Sequence, residues 1–387
     1  MNNLTERIRS LAAELDTRLV SIRQTLHRHP EVSGEEVWTT QQLRYWLAEA
    51  GITVLDLPLR TGLVAEIKGA LPGPTVALRT DIDALPVQEE TGLACASEIP
   101  GKMHACGHDF HMATILGAAF ILQELRAELP GTVRILCQPA EETASGAVDL
   151  IKTGALQGVS AVFGLHNKPD VPSGTVGIKA GPLMANVDTM LIEVAGKGGH
   201  GAVPDLTIDP VVAGSAIVMA LQTAVSRNLS PLDPAVVSVC SFQAGSASNV
   251  IPMSARLLGT VRSFTPAVRT RLKEELLPRI VRDVAAGYGC TATLQFTEGT
   301  PAVDNDAAMA QLMHAACAKL GLPVVEATPT MGGEDFAEYQ QVVPGCFVWM
   351  GTGCPESWHH PKFMVDERVI HQGAALFAQV ALEALTR

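Results

Sequence analysis

Apolar positions recur every three to four residues over 5–28 (TERIRSLAAELDTRLVSIRQTLHR), and that period predicts an amphipathic helix. The Pro/Gly stretch HRHPEVSGEE interrupts it, and helical spacing resumes over 35–50. GLVAEIKG (62–69) and TVALRTDID (75–83) are apolar, β-branched and separated by turn residues, so both read as strands. A helix rich in Ala, Leu and Ile is expected from about Phe110 to Glu128, followed by strands GTVRILCQP (131–139) and SAVFGLHN (160–167). Strands alternating with helices imply a largely parallel sheet covered on both faces.

The pattern changes near Met184. VDTMLIEVAG, a helix from about Asp209 to Arg227, AVVSVCSFQAG, SARLLGTVRSF, a helix from about Pro266 to Ala286, and TATLQF follow in turn. That is the β-α-β-β-α-β order of a ferredoxin-like sandwich. After Gly299 the earlier pattern returns, with a helix, the strand CFVWMG and a last helix from about Glu367 to Leu385. The expected fold is α/β: a mostly parallel-sheet domain in two segments, 1–184 and 299–387, interrupted by a smaller α+β ferredoxin-like domain over 185–298. A chain of 387 residues fits two domains better than one core.

Composition narrows the functional classes. The net charge of -12 argues against a nucleic-acid partner, because phosphate binding relies on basic patches. No stretch of about 18 uncharged apolar residues predicts a membrane span. The N-terminus lacks the apolar core of a signal peptide. The eight cysteines form no CxxC pair and suggest no disulfide framework, so a reducing cytoplasm is the expected location. Most of them lie in apolar segments and read as inert core residues. Cys106, with His and Gly neighbours, does not.

The chemistry gathers at strand ends, where open α/β sheets place their sites. KMHACGHDFH (102–111) packs His104, Cys106, His108, Asp109 and His111 together just before a helix. RTDIDALP sets Asp81 and Asp83 at the end of one strand, and ILCQPAEET sets Glu141 and Glu142 after another. VFGLHNKP contributes His166, and GTGCPESWHHP contributes His359 and His360. Cys106, His108, one glutamate, His166 and one C-terminal histidine make more ligands than one tetrahedral zinc takes, so two metals sharing a bridge fit better. Of two adjacent glutamates, one can bind metal while its neighbour faces substrate as general base. Asp83 reads as the group that orients a histidine ligand, with capping of the next element as its alternative. His111 and His104 read as structural.

Several motifs resemble one family. RTDIDALPVQEETG, GKMHACGHDFHMA, QPAEE, GLHNKPDVPSGTVGIKAGPLMA, GKGGHGAVP, SNVIP, GTVRSF, GGEDFAEY and HHPKFMVDE look like the amidohydrolase branch of the M20 metallopeptidases. That branch includes hippurate hydrolases, N-acyl-amino-acid aminoacylases and auxin-conjugate hydrolases. The likeness runs from HRHPEVSGEE to the final helix. It implies two divalent metal ions per subunit (zinc, manganese, nickel or cobalt) held by Cys106, His108, Glu142, His166 and His359. His359 is the histidine two residues before Pro361, and His360 is an extra one. The resemblance assigns Glu141 as general acid/base and makes the inserted domain a lid and dimerisation domain. It makes His200, in GKGGHGAVP, an oxyanion donor that often serves the partner subunit. It implies that Asn249 and Arg262 bind a substrate carboxylate. Gly332 and Gly333 allow close backbone approach to substrate. Glu334 and Asp335, which follow them, serve equally well as helix caps. One departure is Asp205, where many relatives carry histidine.

The expected activity is hydrolysis of N-acyl amino acids, by a homodimer or homotetramer that binds neither nucleic acid nor membrane. A dipeptidase or carboxypeptidase using the same metals is the nearest rival. A thiol amidase built on Cys106 is a second. A binding protein on a retired hydrolase scaffold is a third, and the full set of ligands with Glu141 argues against it.

Overall fold

Runs of Val, Ile and Leu form the spine of the larger of two units. A computed structural model describes residues 2–387. The larger unit runs to Leu183 and takes in Asp304–Thr328 and Asp335–Arg387; the smaller comprises Met184–Val303 and Pro329–Glu334.

The larger unit holds an eight-stranded sheet in the order Thr53–Val54, Leu63–Lys68, Pro130–Gln138, Leu71–Asp81, Val159–Lys168, Gly345–Gly351, Val176–Ile178, Val324–Glu326. From Pro130–Gln138 to Gly345–Gly351 the four neighbours are parallel; antiparallel pairs appear toward the edges. Residues 76–81 and 345–351 are buried at every position, as a sheet covered on both faces requires. The helix His108–Glu124 is buried on nearly all sides, packed on the sheet, on Asn2–Arg28 and on Ile370–Leu385.

Differences from the sequence reading have physical causes. The helix expected from Phe110 to Glu128 starts at His108 and ends at Glu124, with a short 3-10 turn at Arg126–Glu128. The strand expected over 160–167 runs Val159–Lys168, with His166 inside it near its carboxyl end. The strands Val176–Ile178 and Val324–Glu326 are too short to show any period.

The smaller unit is a four-stranded antiparallel sheet in the order Ala235–Ala244, Ser254–Ser263, Asn186–Ala195, Thr291–Glu298. Burial alternates along Asn186–Ala195, so one face meets the helices. The Asp209 side chain caps Pro210–Ser226, and that of Thr265 caps the helix that opens at Pro266. This second helix contains a π-turn, Arg271–Leu276, just ahead of Pro278. Pro278 has no N–H to offer Glu274, which explains the break in a helix read as continuous. The stretch Pro329–Glu334 belongs to this unit: Ala185 N–H donates to the Thr330 and Gly332 carbonyls. Gly332 and Gly333 therefore lie with the smaller unit rather than with the sheet domain to which 299–387 was assigned.

Candidate metal centre

The carboxyl ends of the parallel strands bring Asp81, Glu141, Glu142 and His166 to one side of the larger sheet. KMHACGHDFH then divides by direction. Cys106 and His108 turn inward: Cys106 Sγ lies 3.3 Å from His166 Nε2, and His108 Nε2 lies 3.8 Å from Glu142 Oε1. Asp109 turns away, onto Arg23 at 2.7 Å and His27 at 2.8 Å. His104 follows it, its ring 6.5 Å from that of His27, and burial pushes its pKa down to about 4. One helical step separates His108 from Asp109, which is why neighbours in sequence serve opposite sides.

Gly107 makes the inward turn possible. Its φ is 83°, and a Cβ there would lie 2.4 Å from Asn167 Nδ2. At the other end of the chain His359 has φ 64°, and its backbone N–H donates to Ala105 O at 2.8 Å. That bond seats His359 beside Cys106, with Nε2 3.5 Å from Glu142 Oε1. His360 is tied to its own turn instead: Nδ1 accepts from Lys362 N–H at 3.1 Å and faces Glu356 at 3.5 Å.

Among the clusters of ligand atoms that result are three built from these side chains: Cys106, His108 and His166; Cys106, Glu142 and His359; and His108, Glu141 and Glu142. Cys106 belongs to the first two. His108 Nε2 and Glu142 Oε1 are buried and have no hydrogen-bond partner in the protein. Leaving such groups unmet costs about 1–3 kcal/mol each, and a cation between them satisfies both. The donors, thiol, imidazole and carboxylate, are those divalent transition metals take. The residues present fit two such ions.

Electrostatics agree. Burial opposes charge on His108, yet Asp81, Asp83 and Glu142 hold its pKa up at about 10. Burial, with Glu142, Glu141 and Asp81, keeps the Cys106 thiol well above its ordinary range. Burial, with His111, pushes His166 well below. Metal binding displaces protons from such groups, so tighter cation binding is expected as pH rises, and a metal titration across pH checks it.

The surrounding groups fix these side chains. Asp83 Oδ1 faces His108 Nδ1 at 3.3 Å, while Oδ2 accepts from Ser33 Oγ at 2.6 Å and Glu142 N–H at 3.0 Å. His111 Nδ1 donates to Asp81 Oδ1 at 2.7 Å and its Nε2 accepts from Asn167 N–H at 2.9 Å, so both ring nitrogens are used within the protein. Below them the buried Arg79 binds Asp81, Asp335 and Gln138, each at 2.8 Å. Sequence reasoning missed Asn167 and Trp358. Asn167 Nδ2 donates to Cys106 O at 2.5 Å, and Asn167 O accepts from His166 Nδ1 at 2.8 Å and Trp358 Nε1 at 3.2 Å. Their only sequence signal is adjacency to His166 and His359.

In the smaller unit His200 pairs with Val250 across a two-stranded ladder, and Gly201 N–H donates to Asn249 O at 2.8 Å, so His200 and Asn249 lie side by side. Ala202 N–H donates to His200 Nδ1 at 3.1 Å, so Nδ1 is the acceptor and Nε2 the donor of this exposed ring. Arg262 Nη1 donates to Met331 O at 2.7 Å, next to Gly332 and Gly333, and its Nε donates to Thr260 Oγ1 at 3.2 Å.

A buried thiol, histidines and paired glutamates at parallel strand ends define the class of metal-dependent hydrolases. The model of Peptidase family M20/M25/M40 matches residues 77–383, and the chain belongs to that family. It is 50% identical over 370 residues to an N-acetylcysteine deacetylase of Bacillus subtilis, covering 95% of this chain and 97% of that one. It is 36% identical over 390 residues to Thermostable carboxypeptidase 1 of Saccharolobus solfataricus, covering 98% and 99%. The solved Bacillus subtilis YXEP protein, a dinuclear metal binding peptidase of the family, superposes with a TM-score of 0.89 at 47% identity, over 97% of this chain and 99% of that one. The chain is thus a metal-dependent amidohydrolase with the mixed α/β fold of its family. Among the described residues no helix is long and apolar enough to cross a membrane.

Proposed function

We propose that the chain hydrolyses the amide bond of N-acyl amino acids, with acyl groups such as acetyl or benzoyl, and releases a carboxylic acid and a free amino acid. The observation that carries this reading is the convergence of Cys106, His108, His166, Glu142 and His359 around orphaned, buried ligand atoms, with Glu141 in the same cluster as His108 and Glu142. Two divalent ions held by those five side chains would acidify a bound water and polarise the substrate carbonyl. Asp83 holds His108 in place. Glu141 takes the proton of the attacking water and gives it to the leaving amine nitrogen. His200, its proton on Nε2, donates to the developing oxyanion. Asn249 and Arg262 bind the free carboxylate of the amino acid, and the Gly332–Gly333 backbone lies against the substrate.

A small acyl group draws support from the relative that deacetylates N-acetylcysteine. The rival reading, a carboxypeptidase, draws support from the Saccharolobus relative. We assign self-association, as a homodimer or homotetramer, to the smaller unit, where Met219, Val250 and Met253 are among its exposed apolar side chains.

Amino-acid release is measured on N-acetyl, N-benzoyl and long-chain N-acyl amino acids and on dipeptides. Each assay is run as purified, after chelation, and after adding back zinc, manganese, nickel or cobalt. N-acyl amino acids are expected to lead, with activity lost on chelation and regained with metal. Faster cleavage of dipeptides favours the carboxypeptidase, and chelator-resistant release removes the metal mechanism. Arg262→Ala is expected to raise KM for carboxylate-bearing substrates by about 10- to 100-fold, the scale of a charged hydrogen bond of about 1.5–3 kcal/mol. An unchanged KM removes Arg262 from carboxylate binding.

A further inference from the structure

We infer that Glu36 is a positioning residue: its carboxylate clamps the left-handed backbone of Ala140 and so aims the Glu141–Glu142 pair. The inference rests on the roles just proposed for those two glutamates.

Glu36 lies in the turn between the first two helices and is 0% exposed. It precedes the helix Val37–Glu49, yet its side chain makes no capping bond there. Its Oε1 reaches across the fold to accept Ala140 N–H at 2.9 Å. Placing a carboxyl group inside a protein is costly unless its oxygens are hydrogen-bonded; Ala140 N–H supplies one such bond, and the backbone amides of Glu36 and Gly34 also favour the charged form. Burial, with Asp83 nearby, raises its pKa.

Ala140 has φ 53°, a region that a residue with a Cβ occupies only when its surroundings hold it. Its carbonyl accepts from Ser145 and Gly146 N–H, each at 3.3 Å. Its own N–H is the end that Glu36 secures. Two residues on, Glu142 N–H is held by Asp83 Oδ2, the oxygen that also accepts from Ser33 Oγ. The short segment Ser33–Glu36 thus braces this turn on both sides of Glu141. If the Ala140 bond is lost, the backbone relaxes toward negative φ and both carboxylates swing.

The test compares wild type, Glu36→Ala, Glu36→Gln, Ala140→Val and the double variant Glu36→Ala/Ala140→Gly. Readouts are kcat, KM, Tm and cobalt affinity by competition with a chelating dye. Glu36→Ala is expected to lower kcat and metal affinity by about 10- to 100-fold with KM little changed, the scale of groups that support metal ligands. Glu36→Gln keeps a carbonyl oxygen for Ala140 and is expected to stay close to wild type. Ala140→Val leaves Glu36 intact but cannot hold the left-handed backbone, and is expected to reproduce the loss; it decides the matter if Glu36→Ala does not fold. Glycine adopts positive φ without strain, so the double variant is expected to regain most of the kcat and affinity lost by Glu36→Ala. Normal kcat and affinity in Glu36→Ala or Ala140→Val overturn the inference, as does a double variant no better than Glu36→Ala. A wild type with no chelator-sensitive amide hydrolysis overturns the functional reading instead, and the affinity comparison then decides this inference alone.

Discussion

Glu141→Gln is expected to retain both metals and to lose kcat by about 100- to 10,000-fold, the contribution of a positioned general base. The two adjacent carboxylates differ in what surrounds them. Glu142 Oε1 lies 3.8 Å from His108 and 3.5 Å from His359, so its removal is expected to strip one of the proposed ligands. Glu141 shares a cluster with His108 and Glu142, but not the Cys106–Glu142–His359 cluster. An amide there keeps the size and polarity of the side chain and cannot accept the proton of water. Metal content by mass spectrometry and single-turnover kinetics separate the two effects. Near-normal turnover removes Glu141 as the base, and loss of metal makes it a ligand.

Gly107→Ala is expected to disable the site by another route. The substitution forces a Cβ into a backbone with φ 83°, which costs about 1–2 kcal/mol. The same atom falls 2.4 Å from Asn167 Nδ2, and relieving such an overlap in a packed interior costs about 1–3 kcal/mol more. Asn167 is the wrong residue to displace, since it bonds the Cys106 carbonyl and its own carbonyl accepts from His166. Two of the proposed ligands, Cys106 and His166, are therefore expected to shift together. A lower Tm, less than two metals per chain and loss of activity are expected in the purified variant. Full metal content at wild-type Tm refutes the account.

Much of this site is legible in the sequence because its ligands stand next to strong signals. Cys106 and His108 flank a glycine at a helix start, and Glu141 and Glu142 follow an apolar strand. The four central strands have long apolar runs, and their parallel pairing follows from the alternation with helices, whereas their order in the sheet does not. What stayed hidden has no local signature. Glu36 acts on a residue 104 positions away, and nothing in HRHPEVSGEE points toward Ala140. Asn167 works through its backbone as much as its side chain. The choice between His359 and His360 turns on a backbone angle at His359 and on bonds that His360 makes to its own turn. Pro278 was visible as a residue, but its effect on helix continuity depends on where it falls in the ladder of carbonyls.

The order in which the chain is made bears on how the site fills. Cys106, His108 and His166 all precede the smaller unit, whereas His359 follows it. The strand Gly345–Gly351 belongs inside the large sheet, between Val159–Lys168 and Val176–Ile178, both translated much earlier. A nascent chain on the ribosome therefore completes every strand of the smaller sheet while the larger one still lacks an interior member. Until that strand arrives, Val159–Lys168 has an unpaired edge open to misassembly. The Cys106–Glu142–His359 cluster is incomplete for just as long, so a cation that needs all three side chains has its full set only once the last part of the chain has emerged.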